Sequence, residues 1–149
     1  VCTSFPETAG RLSPRARVEV TGNPVRSEIA EHANSIEATS SENRELLVLG
    51  GSQGADTLND AVIDAMRVLA GDRFGWKVIH QTGPRQVEKV RHAYAELEIE
   101  AVVEPFFDDM PLRYRNASLV VSRAGATTLA ELACCGRPMI LLPYPHAAD

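Results

Sequence analysis

A chain of 149 residues, 44% hydrophobic and 23% charged, has the size and composition of one globular domain whose core needs neither disulfides nor metal. A net charge of −5 argues against a general nucleic-acid binder, which carries a basic face, yet leaves room for a small anion held by backbone N–H groups. The cysteines, Cys2, Cys134 and Cys135, are odd in number and make no C-x-x-C spacing, so a disulfide framework or zinc site is not expected and a reducing compartment fits.

Along the chain, residues 18–21 read as a short strand and Thr21-Gly22-Asn23-Pro24 as a turn, Asn23 being pushed out of helical geometry by Pro24. Pro24 can open a helix to about His32. Residues 33–44 are polar and aperiodic and read as a mobile loop. Strand and helix then alternate. Glu45–Leu49 is an apolar strand, followed by a Gly-rich loop and a helix from about Ala55 to Ala70 with Leu58, Ala61, Val62, Ala65, Met66 and Leu69 on its expected buried face. Trp76–His80 is the next strand, and Val87, Val90, Tyr94 and Leu97 mark the next helix. Glu100–Glu104 is a strand, and Asp108 is placed to cap a short helix over 109–116. Ser118–Ser122 is a strand, the helix over 126–135 stops at Gly136, and Pro138–Pro143 holds a fully apolar fifth strand. The alternation implies an α/β fold, a doubly wound parallel sheet with helices on both faces, and places ligands beyond the carboxyl ends of the strands.

Three loops there carry chemistry. Gly51-Ser52-Gln53-Gly54 opens a helix, and glycine lets a backbone approach closely while the helix N-terminus favours an anion. A packing turn is the competing explanation, and the loop is neither a Walker A motif nor G-x-G-x-x-G. Gly125-Ala126-Thr127-Thr128-Leu129-Ala130-Glu131 opens a second helix, so a diphosphate could sit between two helix N-termini. Glu131 could accept a ribose diol, or be a solvated acid complementing the helix dipole. Phe106 and Phe107, in the segment Glu104 to Met110 at a strand end, could cover a flat base, with core packing favoured for at least one ring. Arg26 could meet a phosphate or a base carbonyl, or be a surface cation. His80 reads as a structural hydrogen-bonder rather than a base. No Ser-His-Asp or Cys-His spacing appears, and no His/Cys/Asp cluster indicates a metal.

No apolar run reaches the roughly 18 residues of a membrane span. The N-terminal segment lacks the features of a signal peptide and a Met start, and Asp149 follows closely on an apolar strand. The chain therefore reads as part of a longer protein, with 1–16 the tail of an interdomain segment and 17–149 the domain.

Five segments in order (Val20-Thr21-Gly22-Asn23-Pro24-Val25-Arg26, Gly50-Gly51-Ser52-Gln53-Gly54-Ala55, His80-Gln81-Thr82-Gly83, Pro105-Phe106-Phe107-Asp108-Asp109-Met110 and Ser122 to Glu131) resemble the MurG family of N-acetylglucosamine transferases, from Arg17 to the end. The resemblance implies the C-terminal, Rossmann-like donor domain of an inverting, metal-independent GT-B glycosyltransferase that needs no cofactor. Such an enzyme would take N-acetylglucosamine from UDP-N-acetylglucosamine to undecaprenyl-diphospho-muramoyl-pentapeptide in peptidoglycan biosynthesis.

By motif, Arg26 and Ser52 would face the nucleotide and its phosphates. The backbone of Phe107 would read uracil, and Phe106 and Met110 would wall the pocket. Residues 126–131 would line the diphosphate, with Glu131 on the ribose. The catalytic base and the acceptor site would lie in an N-terminal domain, and a Gln-containing stretch that contacts the sugar would follow the segment ending at His146. The enzyme would be cytoplasmic and peripheral on the inner face of the bacterial plasma membrane, with no nucleic-acid partner. The 33–44 stretch is longer and more polar than the family's linker, and Phe107 stands at a position often aliphatic. A glycolipid glucosyltransferase or epimerase sharing the donor domain, and a non-catalytic nucleotide-binding module, are the alternatives.

Overall fold

The computed structural model describes residues 1–33, 44–51, 55–70 and 75–143. Cys2–Thr3 (β1) and Glu19–Val20 (β2) pair in a small parallel sheet, with a four-residue helix, Pro6–Ala9 (α1), between them. The helix Ser27–Ala33 (α2) begins three residues later than expected from Pro24 and takes in Ala33. Of the loop expected over 33–44, the residues 34–43 lie outside the described part.

The main body alternates as its periodicity requires: Glu45–Leu49 (β3), Asp56–Leu69 (α3), Lys77–Gln81 (β4), Val87–Glu96 (α4), Ala101–Glu104 (β5), Met110–Asn116 (α5), Leu119–Arg123 (β6), Ala126–Cys134 (α6) and Met139–Leu142 (β7). The five strands β3 to β7 form one parallel sheet in the order β5-β4-β3-β6-β7. Parallel neighbours need crossover connections, and the helices supply them.

Side chains alternate across the sheet, and the core divides accordingly. Leu46, Val48, Val78, Val103 and Val121 face α3 and α4, packing on Leu58, Val62, Met66, Val90 and Tyr94. Leu47, Leu49, Ile79 and Val120 belong to the other face, with Ile29 of α2, Met110 and Tyr114 of α5, and Leu132 of α6. Each fully buried aliphatic side chain among these contributes about 1.5–3 kcal/mol.

Three expectations are corrected. The buried face of α3 is Leu58, Asn59, Val62, Ile63 and Met66, whereas Ala61, Ala65 and Leu69 are exposed. The stripe is turned toward Asn59 because that amide is drawn into a buried polar network. Asp108 does not cap α5: the helix starts after Asp109, which makes no side-chain cap bond and instead pairs with Arg113 (Nη2 to Oδ2, 2.9 Å). The apolar β7 is not covered on both faces. It is an edge strand, and Ile140 is 51% exposed. Gly136 does end α6, at φ +60°, where glycine avoids a Cβ penalty.

The network at Asn59 anchors the carboxyl end of β4. His80, fully buried, receives the Tyr94 hydroxyl at Nδ1 (2.9 Å) and stands 3.1 Å from Asn59 Oδ1 through Nε2. An amide oxygen only accepts, so Nε2 carries the proton and the ring is neutral. Asn59 Nδ2 in turn donates to the Thr82 carbonyl and to Gln86 Oε1, both at 3.0 Å. His80 is thus a structural hydrogen-bonder, as its sequence context indicated.

Burial holds His80 down at about 3, against 6.5 for a free imidazole. The unfolded chain therefore takes up a proton that the folded one refuses. The contribution of His80 to stability is complete above pH 6.5 and is lost as the pH falls from there toward 3, by up to about 1.4 kcal/mol per pH unit. Urea unfolding at pH 7, 6 and 5 is expected to give a shallower acid loss for His80→Gln than for the parent protein. Equal slopes would contradict a neutral, buried His80.

Candidate functional site

The strand order reverses beside β3. From β3 the chain proceeds through β4 to β5 on one side and later through β6 to β7 on the other, so the loops after β3 and β6 leave the sheet in opposite directions. A cleft of about 360 Å³ opens at their carboxyl ends, a volume within the usual range of about 300–1,000 Å³ for small-molecule sites. Leu49 and Gly51 of the β3 end, Gln81 of β4 and Ser122 and Arg123 of β6 form its floor. Phe106, Met110 and Tyr114 form one wall, and Gly125, Thr127, Thr128 and Glu131 the other.

Glycine is required at the loop after β3. A Cβ on Gly50 would stand 2.9 Å from the Gln81 carbonyl oxygen, to which the Gly50 N–H already donates (2.8 Å), and Gly51 has φ +76°. The close approach binds this loop to the end of β4. Arg123, at the end of β6, donates to Thr57 Oγ1 in the first turn of α3 and to the Pro143 carbonyl (3.1 Å). The N-terminal turns of α3 and α6 are thereby held on one sheet edge. Gly125, the residue that opens α6, is extended with φ −79°, ψ 136°, leaving first-turn N–H groups of that helix at the cleft.

Glu131 is 3% exposed in the second turn of α6. A buried carboxylate is costly unless it is paired and hydrogen-bonded, and here three donors serve it. Arg26, immediately before α2, approaches with Nε 2.8 Å from Oε1 and Nη2 3.2 Å from Oε2. The Tyr114 hydroxyl donates to Oε2 at 3.0 Å. The arginine side chain itself is 52% exposed at the cleft mouth. Its pairing with Glu131 raises the guanidinium above its ordinary value, and burial together with the neighbouring Glu131 charge raises the Tyr114 phenol. Glu131 is therefore not a solvated acid. It lies at the end of a polar pocket with Arg26 over it and Tyr114 behind it.

The residues singled out from sequence are distributed as follows. Arg26, Gly51, Phe106, Met110, Gly125, Thr127, Thr128 and Glu131 all border the cleft. Ala126, Leu129 and Ala130 lie in α6 but add no side chain to the wall. Phe107 is 4% exposed and packs in the core under the Arg113 guanidinium, 4.6 Å from the ring centroid. Its backbone N–H donates to Gln81 Oε1 (2.9 Å). Ser52, Gln53 and Gly54, and His146, lie outside the described residues. Tyr114 and Gln81 were not singled out as site residues. Tyr114 follows Met110 by four positions and so shares its helix face, which is the one signal the sequence offered for it.

A parallel sheet of this order with a cleft at its switch point defines a Rossmann-like α/β domain. Residues 45–149 match the glycosyltransferase family 28 C-terminal domain, and the chain belongs to that family. It is 46% identical over 153 residues to the UDP-N-acetylglucosamine--N-acetylmuramyl-(pentapeptide) pyrophosphoryl-undecaprenol N-acetylglucosamine transferase of Desulfotalea psychrophila, an alignment covering 100% of this chain and 40% of the relative. The protein of the same name from Syntrophotalea carbinolica is 47% identical over 150 residues, covering 99% and 40%. Among solved structures, Acinetobacter baumannii MurG superposes with a TM-score of 0.72 at 28% identity, covering 99% of this chain and 40% of that one. The resemblance to MurG and the Rossmann-like fold class are thus borne out, and the chain spans about 40% of the length of these relatives. Among the described residues no helix is long and apolar enough to cross a membrane.

Replacing Arg26 with Met would leave the buried Glu131 carboxylate, among the described residues, with the Tyr114 hydroxyl. The expected cost is about 1–3 kcal/mol, that of removing a partner from a buried acceptor. The matched control is Arg85→Met, whose partner Asp56 is exposed (3.3 Å apart), with an expected cost of at most about 1 kcal/mol. Equal losses in urea unfolding would contradict a special pairing at Glu131.

Proposed function

We propose that the chain is the donor-binding domain of an inverting, metal-independent GT-B transferase. The complete protein moves N-acetylglucosamine from UDP-N-acetylglucosamine to undecaprenyl-diphospho-muramoyl-pentapeptide. Two things support this reading: membership of glycosyltransferase family 28, and the activity printed in the names of relatives that are 46% and 47% identical. The observation that carries the site assignment is the buried Glu131 carboxylate at the switch-point cleft, flanked by the N-terminal turn of α6.

In this reading Glu131 accepts the ribose hydroxyls, since a carboxylate offers about four acceptor positions and can serve a diol. Phe106 and Met110 wall the base, and the Phe107 backbone reads the uracil edge through its carbonyl, its N–H being held by Gln81. Gly125, Ala126, Thr127 and Thr128 meet the diphosphate with the N–H groups of a helix start, with Leu129 and Ala130 supporting that turn. Arg26 and the loop Gly51-Ser52-Gln53-Gly54 supply further donors to the nucleotide. The acceptor hydroxyl oxygen bonds to the anomeric carbon as the bond from that carbon to the diphosphate breaks, and the hydroxyl proton passes to a base in the acceptor half of the protein. The charge growing on departing UDP is met by preorganised dipoles, which act more strongly in a closed site than in water. The complete enzyme works in the cytoplasm, peripherally on the inner face of the plasma membrane, where its lipid-linked acceptor is anchored.

Calorimetric titration of the full-length protein with UDP-N-acetylglucosamine, UDP-glucose and NAD tests the assignment. The expected order is UDP-N-acetylglucosamine above UDP-glucose with no response to NAD. Glu131→Ala should weaken the UDP ligands by about tenfold or more. Binding of NAD, or UDP-ligand affinities unchanged by the substitution, would refute it.

A further inference from the structure

The carboxylate of Glu131 holds a set of partners that differ in kind. Arg26 is 52% exposed and reaches in from the cleft mouth. Tyr114 is 2% exposed and is part of the core. Its ring packs in the cluster formed by Ile29, Met110 and Leu132 beneath the sheet, so its hydroxyl cannot swing away without opening that core. A carboxylate accepts about four hydrogen bonds, and Arg26 with Tyr114 already provides three. A ribose diol brings two more. One existing bond must therefore yield on binding, and the arginine, flexible and half in solvent, is the partner able to move.

We propose that Tyr114 is the positioning residue of the nucleoside subsite: its hydroxyl fixes Oε2 of Glu131 from the core side, so that the carboxylate keeps its orientation when Arg26 gives way to the ribose. The tyrosine acts through Glu131 and does not itself hold the nucleotide. The inference rests on the reading of Glu131 as the ribose ligand. Without the hydroxyl, the carboxylate would rotate toward Arg26 and meet the diol poorly. Loss would then fall most on ligands that carry both ribose hydroxyls and less on one that lacks the 2′-hydroxyl.

The test is titration of the full-length protein and its Tyr114→Phe variant with UDP and with 2′-deoxy-UDP, alongside thermal unfolding of each. The expected result is about a tenfold loss of UDP affinity in the variant, the usual scale for removing a hydrogen bond to a charged group, with 2′-deoxy-UDP weakened far less. In a Glu131→Gln background, Tyr114→Phe should add little further loss. If the variant weakens both ligands by the same factor, or lowers only the melting temperature, Tyr114 is a core residue and the proposal is overturned. If the parent protein binds UDP and 2′-deoxy-UDP equally, Glu131 does not hold the ribose diol, and the proposal falls together with the site assignment beneath it.

Discussion

The reversal of strand order beside β3 is the constraint from which the site follows. Right-handed crossovers carry the chain from β3 through α3 and α4 on one face of the sheet, and through α5 and α6 on the other. The loops leaving β3 and β6 are therefore driven apart at neighbouring strand ends, and the gap between them is the cleft. No loop residue needs to create it. The loops only decide what it holds: Gly50 and Gly51 bring backbone close on one side, and Gly125 starts a helix on the other.

The reversal also sets where a charge can be buried. Glu131 lies deep because α6 packs on the sheet through Leu132, one residue further on, and this carries the preceding carboxylate inward. Such a group survives only with partners, and both come from elements on the same face, Arg26 from the start of α2 and Tyr114 from α5. The helices α2, α5 and α6 are thus tied by apolar contacts beneath and by one shared carboxylate above. Stability draws on that side chain, and in the proposed reading ligand recognition does as well. On the opposite face, the neutral His80 and Asn59 hold the end of β4, and Gln81 next in sequence connects both neighbouring loops, through its carbonyl to Gly50 and its side chain to Phe107.

Much of this was legible in sequence, because the informative signals are local. Apolar runs such as Leu46-Leu47-Val48-Leu49 and 3–4 spacings such as Leu58, Val62 and Met66 locate the strands and helices to within a residue or two. The alternation alone implies a parallel sheet. What escaped has a nonlocal cause. Edge position cannot be read from Met139-Ile140-Leu141-Leu142, which is as apolar as a central strand. The turn of the α3 face toward Asn59 depends on His80, 21 residues away. Tyr114 and Glu131 are 17 apart and Arg26 and Glu131 are 105 apart, so the pairing that defines the pocket leaves no periodic trace. The two-residue strand β1, Cys2–Thr3, is too short to show a period at all. The site residues Arg26, Phe106, Met110 and Glu131 were found through motifs that resemble a family, and the structure brings them to one cleft without any of their spacings requiring it.

The central claim is that the switch-point cleft holds the nucleotide with Glu131 on its ribose. A crystal structure of the full-length protein with UDP-N-acetylglucosamine bound tests it most directly. The account requires the uridine between the ends of β3 and β6, both ribose hydroxyls within hydrogen-bonding distance of Glu131, and the diphosphate at the first turn of α6. A nucleotide seated elsewhere, or one in the cleft with Glu131 still paired to Arg26 and away from the ribose, would contradict it.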